Sequence, residues 1–189
     1  PVLVASGTVT RLGGAGMSTG VVDAWTQAAR ATVPLDHLQA AASRRIAARC
    51  GVEAGLVVGG AAAGLLLGTA AILAGPSLAR MEQLPDVHGL AHELIVARAQ
   101  RNGYDHAVRT AGARLVEVGM DEIAAGSGVR ATELWEYEAA IGPQTAGVLY
   151  TLTHDSRPHL ADVVTLAHHH SLPVLVDAAS ELPPMSKLT

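Results

Sequence analysis

The sequence predicts an α/β domain, a three-layer sandwich in which a mostly parallel sheet is covered by helices. Three observations point there. Short continuous apolar runs such as Val174 to Val176 alternate with amphipathic helical stretches, and strands buried on both faces of a parallel sheet read as such runs. The apolar fraction is 49% while aromatics make up 3% and Phe is absent, so the core must come from Ala, Val, Leu and Ile. Terminators fall between the units: Gly112 and Gly142 follow helical stretches, and Pro143 and Pro173 precede or open strands.

At 189 residues the chain fits one fold of ordinary size. An N-terminal loop and helices are expected over residues 1–52, and the α/β body over 53–189. Gly7 to Ser18, rich in Gly and Thr, reads as an ordered loop or short strand. Helices are expected at Val21 to Ala31, with Ser18 and Thr19 as possible caps, and at Leu38 to Cys50, closed by Gly51 in the C′ position. Leu56 to Val58, the pair Gly59-Gly60 and the run Ala61 to Ala74 read as strand, tight turn and helix. Strands then follow at Glu93 to Ala97, Arg114 to Val118, Ala146 to Leu152 and Pro173 to Ala178. Helices at Asp105 to Ala111, Thr132 to Ile141 and Leu160 to His170 separate them, and Asp121 to Arg130 reads as a flexible loop.

The net charge of -4 comes from 13 basic and 17 acidic side chains scattered along the chain. No basic block stands ready to neutralise phosphates, so nucleic acid is not an expected partner. Cys50, the single cysteine, excludes an internal disulfide framework, and the opening PVLVASGTVT lacks a signal-peptide pattern. A reducing cytoplasm is the expected compartment. No charge lies between Glu53 and Arg80, and Gly60, Gly64 and Gly68 form a GxxxGxxxG series, so a membrane-associated protein is the remote alternative. The Ala and Gly content, the break at Gly59-Gly60 and the flanking strand and helix units favour a buried strand and helix.

Two features suggest a ligand site. Small residues at Gly59, Gly60, Ala61 and Ala62 leave the start of a helix open to an anion, because backbone N–H groups and the positive dipole end face it unblocked. Close packing is an equally common reason for small residues there. Asp177 closes the run PVLVD at the carboxyl edge of the sheet, where ligands of open α/β sheets bind. It would hold a protonated ring nitrogen, or else cap the next turn or bind a metal. The run His168 to His170 reads as structural, since adjacent side chains on a helix do not converge.

Four segments in register carry a family resemblance: GTVTRLGG (Gly7 to Gly14), GGAAAGLLLGTAA (Gly59 to Ala71), YDHAVRTAGARLVEVG (Tyr104 to Gly119) and PVLVDAASELPP (Pro173 to Pro184). Together they resemble the selenocysteine synthase-like family of fold type I pyridoxal 5'-phosphate (PLP) enzymes. That family takes in L-seryl-tRNA(Sec) selenium transferase and D-glucosaminate-6-phosphate ammonia lyase. The resemblance implies the N-terminal part of a PLP-binding large domain, with PLP as cofactor. Gly60, Ala61 and Ala62 would form the phosphate cup, and Asp177 would pair with the pyridine nitrogen. Tyr104 or His106 would lie over the cofactor ring, with His106 relaying protons. Thr153 and His154 would approach the phenolic oxygen, and Arg11 would bind a substrate carboxylate or phosphate.

The resemblance also implies a departure. The family's Schiff-base lysine lies in a segment beyond the one matched by ELPP, and Lys187, the only lysine, does not match its position. The expectation is a lyase or transferase acting by elimination or replacement on an amino acid or amino sugar acid. Its lysine and small domain would come from a second polypeptide, in a higher homo- or hetero-oligomer. The alternatives are a truncated fragment and a non-catalytic scaffold or regulatory homologue.

Overall fold

A computed structural model describes residues 16–120 and 130–181. They fall into two compact units, one running through Val57 and the other from Val58 onward.

The first unit holds helices α1 (Thr19–Ala29) and α2 (Leu35–Cys50). Gly51 ends α2 in the left-handed conformation, φ 67°, that a residue with a Cβ adopts at a cost. The strand expected at Leu56 to Val58 does not form. With no neighbouring strand to pair with among the described residues, the Val57 backbone finds its partners in the Gln39 side chain. Gln39 Nε2 donates to Val57 O at 3.1 Å, and Val57 N–H donates to Gln39 Oε1 at 3.4 Å. Leu56 and Val57 are accordingly exposed.

The second unit opens on α3 (Ala61–Ala74), followed by a short helix α4 (Leu78–Gln83) that the sequence reading missed. Ser77 starts α4 by accepting a hydrogen bond from Arg80 N–H at 3.4 Å. Then come β1 (Glu93–Ala97), a 3₁₀ turn (Arg98–Gln100), α5 (Asp105–Thr110), β2 (Arg114–Val118), α6 (Leu134–Ala140), β3 (Thr145–Thr151), α7 (Leu160–His169) and β4 (Val174–Asp177). The described strands form one sheet in the order β2-β1-β3-β4, with every pairing parallel.

Successive residues of the central strand β1 feed opposite faces of the sheet, as the two-residue period of a strand requires. Ile95 and Ala97 join Val148 and Tyr150 under Tyr137 of α6 and Val163 and Ala167 of α7. Leu94 and Val96 join Leu149 under Leu65 and Leu73 of α3 and Val108 of α5. Ile95 and Val96 are both fully buried, each contributing about 1.5–3 kcal/mol by leaving water. The three predicted layers are thus present, but the core is not purely aliphatic as expected: Tyr137 and Tyr150 are its largest fully buried side chains.

Within the glycine series, Gly68 serves this packing. A Cβ at Gly68 would stand 2.8 Å from Leu175 Cδ1 on β4, whereas one at Gly64 would meet Val58 at an ordinary 3.7 Å. Among the described residues no helix is long and apolar enough to cross a membrane. Gly68→Val should therefore overpack the helix–sheet contact and lower unfolding free energy by about 1–3 kcal/mol. Gly64→Ala should raise it by about 0.4–1 kcal/mol through the chain's lost freedom when unfolded, both measured by urea denaturation. Equal losses from the two would contradict this packing.

Candidate functional site at the carboxyl edge of the sheet

Parallel strands end together, so the residues just beyond Ala97, Val118, Thr151 and Asp177 share one edge. The chain leaving β1 is pinned there by charge. Arg101 bonds both Asp105, which is almost fully buried, and Glu117 of β2, and Arg98 Nε reaches Glu117 Oε2 at 3.0 Å. Asp105 Oδ2 also accepts from Asn102 N–H at 3.3 Å, and Asn102 Oδ1 accepts from Tyr104 N–H at 2.8 Å. The segment from Arg98 to His106 is held as one piece.

One side of that segment faces the start of α3. Ala62, Ala63 and Leu66 share a groove of about 430 Å³ with Gly103, Tyr104, His106 and Ala107. The first intrahelical bond of α3 runs from Gly64 N–H to Gly60 O at 3.0 Å, which leaves the amides of Ala61, Ala62 and Ala63 without helical acceptors. No side chain caps this end, and no acidic residue occupies the first turn. Gly60 has φ 131° and ψ 176°, a conformation open to glycine alone, and a Cβ there would meet nothing within 4 Å among the described residues. The expected phosphate cup is thus open, and Ala62, Tyr104 and His106 are brought together. Its preceding segment is a loop where a strand was expected.

Asp177 ends β4 directly opposite Thr151 of β3. Its Oδ1 accepts from Ala179 N–H at 3.1 Å, the turn-capping role left open by the sequence, and among the described residues it has no cationic partner. His154 lies apart: its side chain is 87% exposed, with Nδ1 3.7 Å from Asp155 Oδ1. It borders a shallow hollow with His159, Leu160 and Glu181. Among the described residues no group of His, Cys, Asp and Glu side chains could hold a metal. Arg11 and Lys187 lie outside the described residues.

The other side of the Arg98 to His106 segment borders a cleft of about 500 Å³ that the sequence reading missed. Gln100 and Asn102 beyond β1, Thr132 before α6, Thr151 at the end of β3, and Ser156 and Arg157 beyond it are in its wall. Gln100 Oε1 accepts from Thr151 N–H at 3.1 Å, and Ser156 Oγ donates to Thr151 O at 2.8 Å. Thr153 Oγ1 donates to Asp155 Oδ1 at 2.8 Å, and this bond is the main reason the Asp155 carboxyl titrates below its ordinary range. Beneath the cleft, Tyr150 donates to Pro158 O at 2.8 Å. Burial raises its phenol above the ordinary 10.0, against smaller lowering effects of Ser156, Arg157 and Gln100. Burial raises Tyr137 further. The legible signal was positional: the polar stretches RNG and DSRP each follow the carboxyl end of a strand.

No protein-family profile matches the chain. Two curated relatives do. D-glucosaminate-6-phosphate ammonia lyase of Salmonella typhimurium is 31% identical over 188 residues, 95% of this chain and 49% of that protein. The 5'-C-glycyluridine monooxygenase-decarboxylase of a Streptomyces species is 32% identical over 191 residues, 96% of this chain and 46% of that protein. A solved structure of D-glucosaminate-6-phosphate ammonia-lyase superposes with a TM-score of 0.82 at 30% identity, over 91% of this chain and 47% of that one. The structure of 3-amino-5-hydroxybenzoic acid synthase, at 19% identity and a TM-score of 0.51, shares the fold. The chain spans about half the length of the curated relatives it matches.

The buried phenols give a pH signature. Their folded-state pKa values lie above 10.0, so their contribution to stability is complete below that pH. It is lost as pH rises further, because the unfolded chain releases these protons first. The chain has three tyrosines, and in a Tyr104→Phe background only Tyr137 and Tyr150 remain. Their phenolate absorbance should then appear above pH 10 together with loss of the circular dichroism signal. Ionisation near the ordinary value with structure intact would contradict the burial.

Proposed function

We propose that this chain, a homologue of one half of D-glucosaminate-6-phosphate ammonia lyase and a relative of fold type I PLP enzymes, is the part that cradles the cofactor. We place it with the selenocysteine synthase-like members, in a cytoplasmic enzyme. The observation that carries the reading is the uncapped start of α3 at Gly60, on the edge where Asp177 ends β4. The relatives are about twice as long, and Lys187 is the only lysine here. The lysine that holds the cofactor is therefore assigned to sequence outside these 189 residues; our proposal carries it on a second polypeptide in a hetero-oligomer.

The residues present fit the group. The amides of Ala61, Ala62 and Ala63 are donors suited to a phosphate, and Gly60 keeps the approach clear. The Asp177 carboxylate, without a cationic partner among the described residues, favours a proton on a pyridine nitrogen. When bound, PLP supplies a sink for the electron pair left at a substrate Cα. This chain's own residues do the rest. Asp177 holds the ring proton, Tyr104 covers the ring, and His106 beside the cup moves a proton to or from the substrate. Arg11 and His154 are assigned to the substrate anion and the cofactor's oxygen side. The reaction proposed is elimination or replacement at Cα–Cβ of an amino acid or amino sugar acid.

Purification from the native source, with absorption spectra before and after borohydride reduction and mass mapping of the modified peptide, tests this reading. A reduced pyridoxyl-lysine on a co-purifying polypeptide is expected. Its presence on a continuation of this same polypeptide would contradict the two-chain arrangement and leave the cradle. A lone 19.3 kDa species without cofactor absorbance would overturn both. In the active assembly, Asp177→Asn should keep PLP but slow turnover by about 10²–10³-fold. Gly60→Val should abolish PLP binding.

A further inference from the structure

Apart from Thr153, expected near the cofactor's phenolic oxygen, the cleft between the ends of β1, β2 and β3 holds no residue of the proposed cradle, yet it has the features of a built site. Its volume of about 500 Å³ suits a small molecule. Three arginines border it. Arg101 is engaged by Asp105 and Glu117, and Arg130 Nη2 is 2.9 Å from Glu136 Oε1. Arg157 differs: its Nη1 donates to Ser156 O at 2.9 Å, and among the described residues no carboxylate forms an ion pair with it. Its guanidinium retains donors and charge for an anion.

Neutral groups point the same way. Gln100 and Thr132 are at least nine-tenths buried in this wall, and Gln100 Nε2 and Thr132 Oγ1 have no hydrogen-bond partner. The Gln100 amide stands near enough to Tyr150 to influence its phenol, but without hydrogen-bond geometry from Nε2. A buried polar atom without a partner calls for an explanation, and a bound group is one of them; two of the four such atoms among the described residues belong to this wall, the others being Thr69 Oγ1 and Tyr137 Oη elsewhere. Asn102 Nδ2 makes only long contacts, at 3.4 Å, to Gln100 O and Thr151 Oγ1. Asp155, ionised and held by Thr153, is an acceptor for hydroxyl groups.

The cleft also adjoins the cradle. Thr151 in its wall is the ladder partner of Asp177, and the segment from Asn102 to His106 borders both hollows. We infer that this cleft binds the distal part of the substrate, a hydroxylated chain ending in an oxyanion that Arg157 receives. The inference rests on the proposed function for the word substrate; the oxyanion site stands on the cleft alone.

Calorimetric titration of the native holoprotein with D-gluconate 6-phosphate, D-gluconate and inorganic phosphate tests it. Gluconate 6-phosphate should bind, and Arg157→Gln should weaken it about tenfold or more, with Arg157→Lys in between. PLP absorbance and affinity should not change, and Arg109→Gln should have no effect. Stronger binding of gluconate 6-phosphate than of gluconate identifies a phosphate as the anion; parity identifies a carboxylate. Unchanged affinity in Arg157→Gln, or loss of PLP with it, would overturn the inference. If no PLP binds but the Arg157 effect persists, the proposed function fails and the oxyanion site stands.

Discussion

An all-parallel sheet commits a protein to one working edge. Every described strand here runs the same way, so four chain segments emerge within a few strand spacings of one another, about 4.8 Å per step. Burial of β1 on both faces fixes that arrangement, because a strand shifted by one residue would exchange the two hydrophobic sets above and below it. Leu94 and Val96 would turn toward α6 and α7, and Ile95 and Ala97 toward α3 and α5. The positions of Asp177, Thr151 and the Arg98 to His106 segment all follow from this register.

Charge then sharpens what the sheet places. Asp105 is buried, and a buried carboxylate left without a partner costs about 3–5 kcal/mol; Arg101 supplies the partner while reaching across to Glu117 on β2. The loop between β1 and α5 is thereby tied to its neighbouring strand. It becomes a partition, with the start of α3 on one side and the Arg157 cleft on the other. In the arrangement proposed here, that one pinned segment separates the cofactor cradle from the substrate subsite along a single edge.

Much of the framework was legible in the residues. The runs ELIVA and RLVEV gave their strands to the residue, and the helix Ala61–Ala74 matched because Gly60 and Gly75 bracket it. Leu56 to Val58 misled because an apolar triplet fits a strand until a partner strand is required, and here the Gln39 amide takes its place. The nearness of Ala62 to Tyr104 and His106 depends on α3 folding back over the sheet, which local periodicity does not encode. The cleft was hidden for another reason: Gln100, Thr132 and Arg157 come from three separated loops, each ordinary alone. Arg11, on which the resemblance placed a substrate contact, lies outside the described residues.

The central claim is that the start of α3 and the end of β4 together hold the phosphate and ring of PLP. A crystal structure of the native, PLP-loaded protein tests it most directly. The account predicts the phosphorus within hydrogen-bonding reach of the Ala61, Ala62 and Ala63 amides, and the pyridine nitrogen beside the Asp177 carboxylate. A phosphate bound instead by Arg157 in the neighbouring cleft, with the α3 amides facing water, would contradict it.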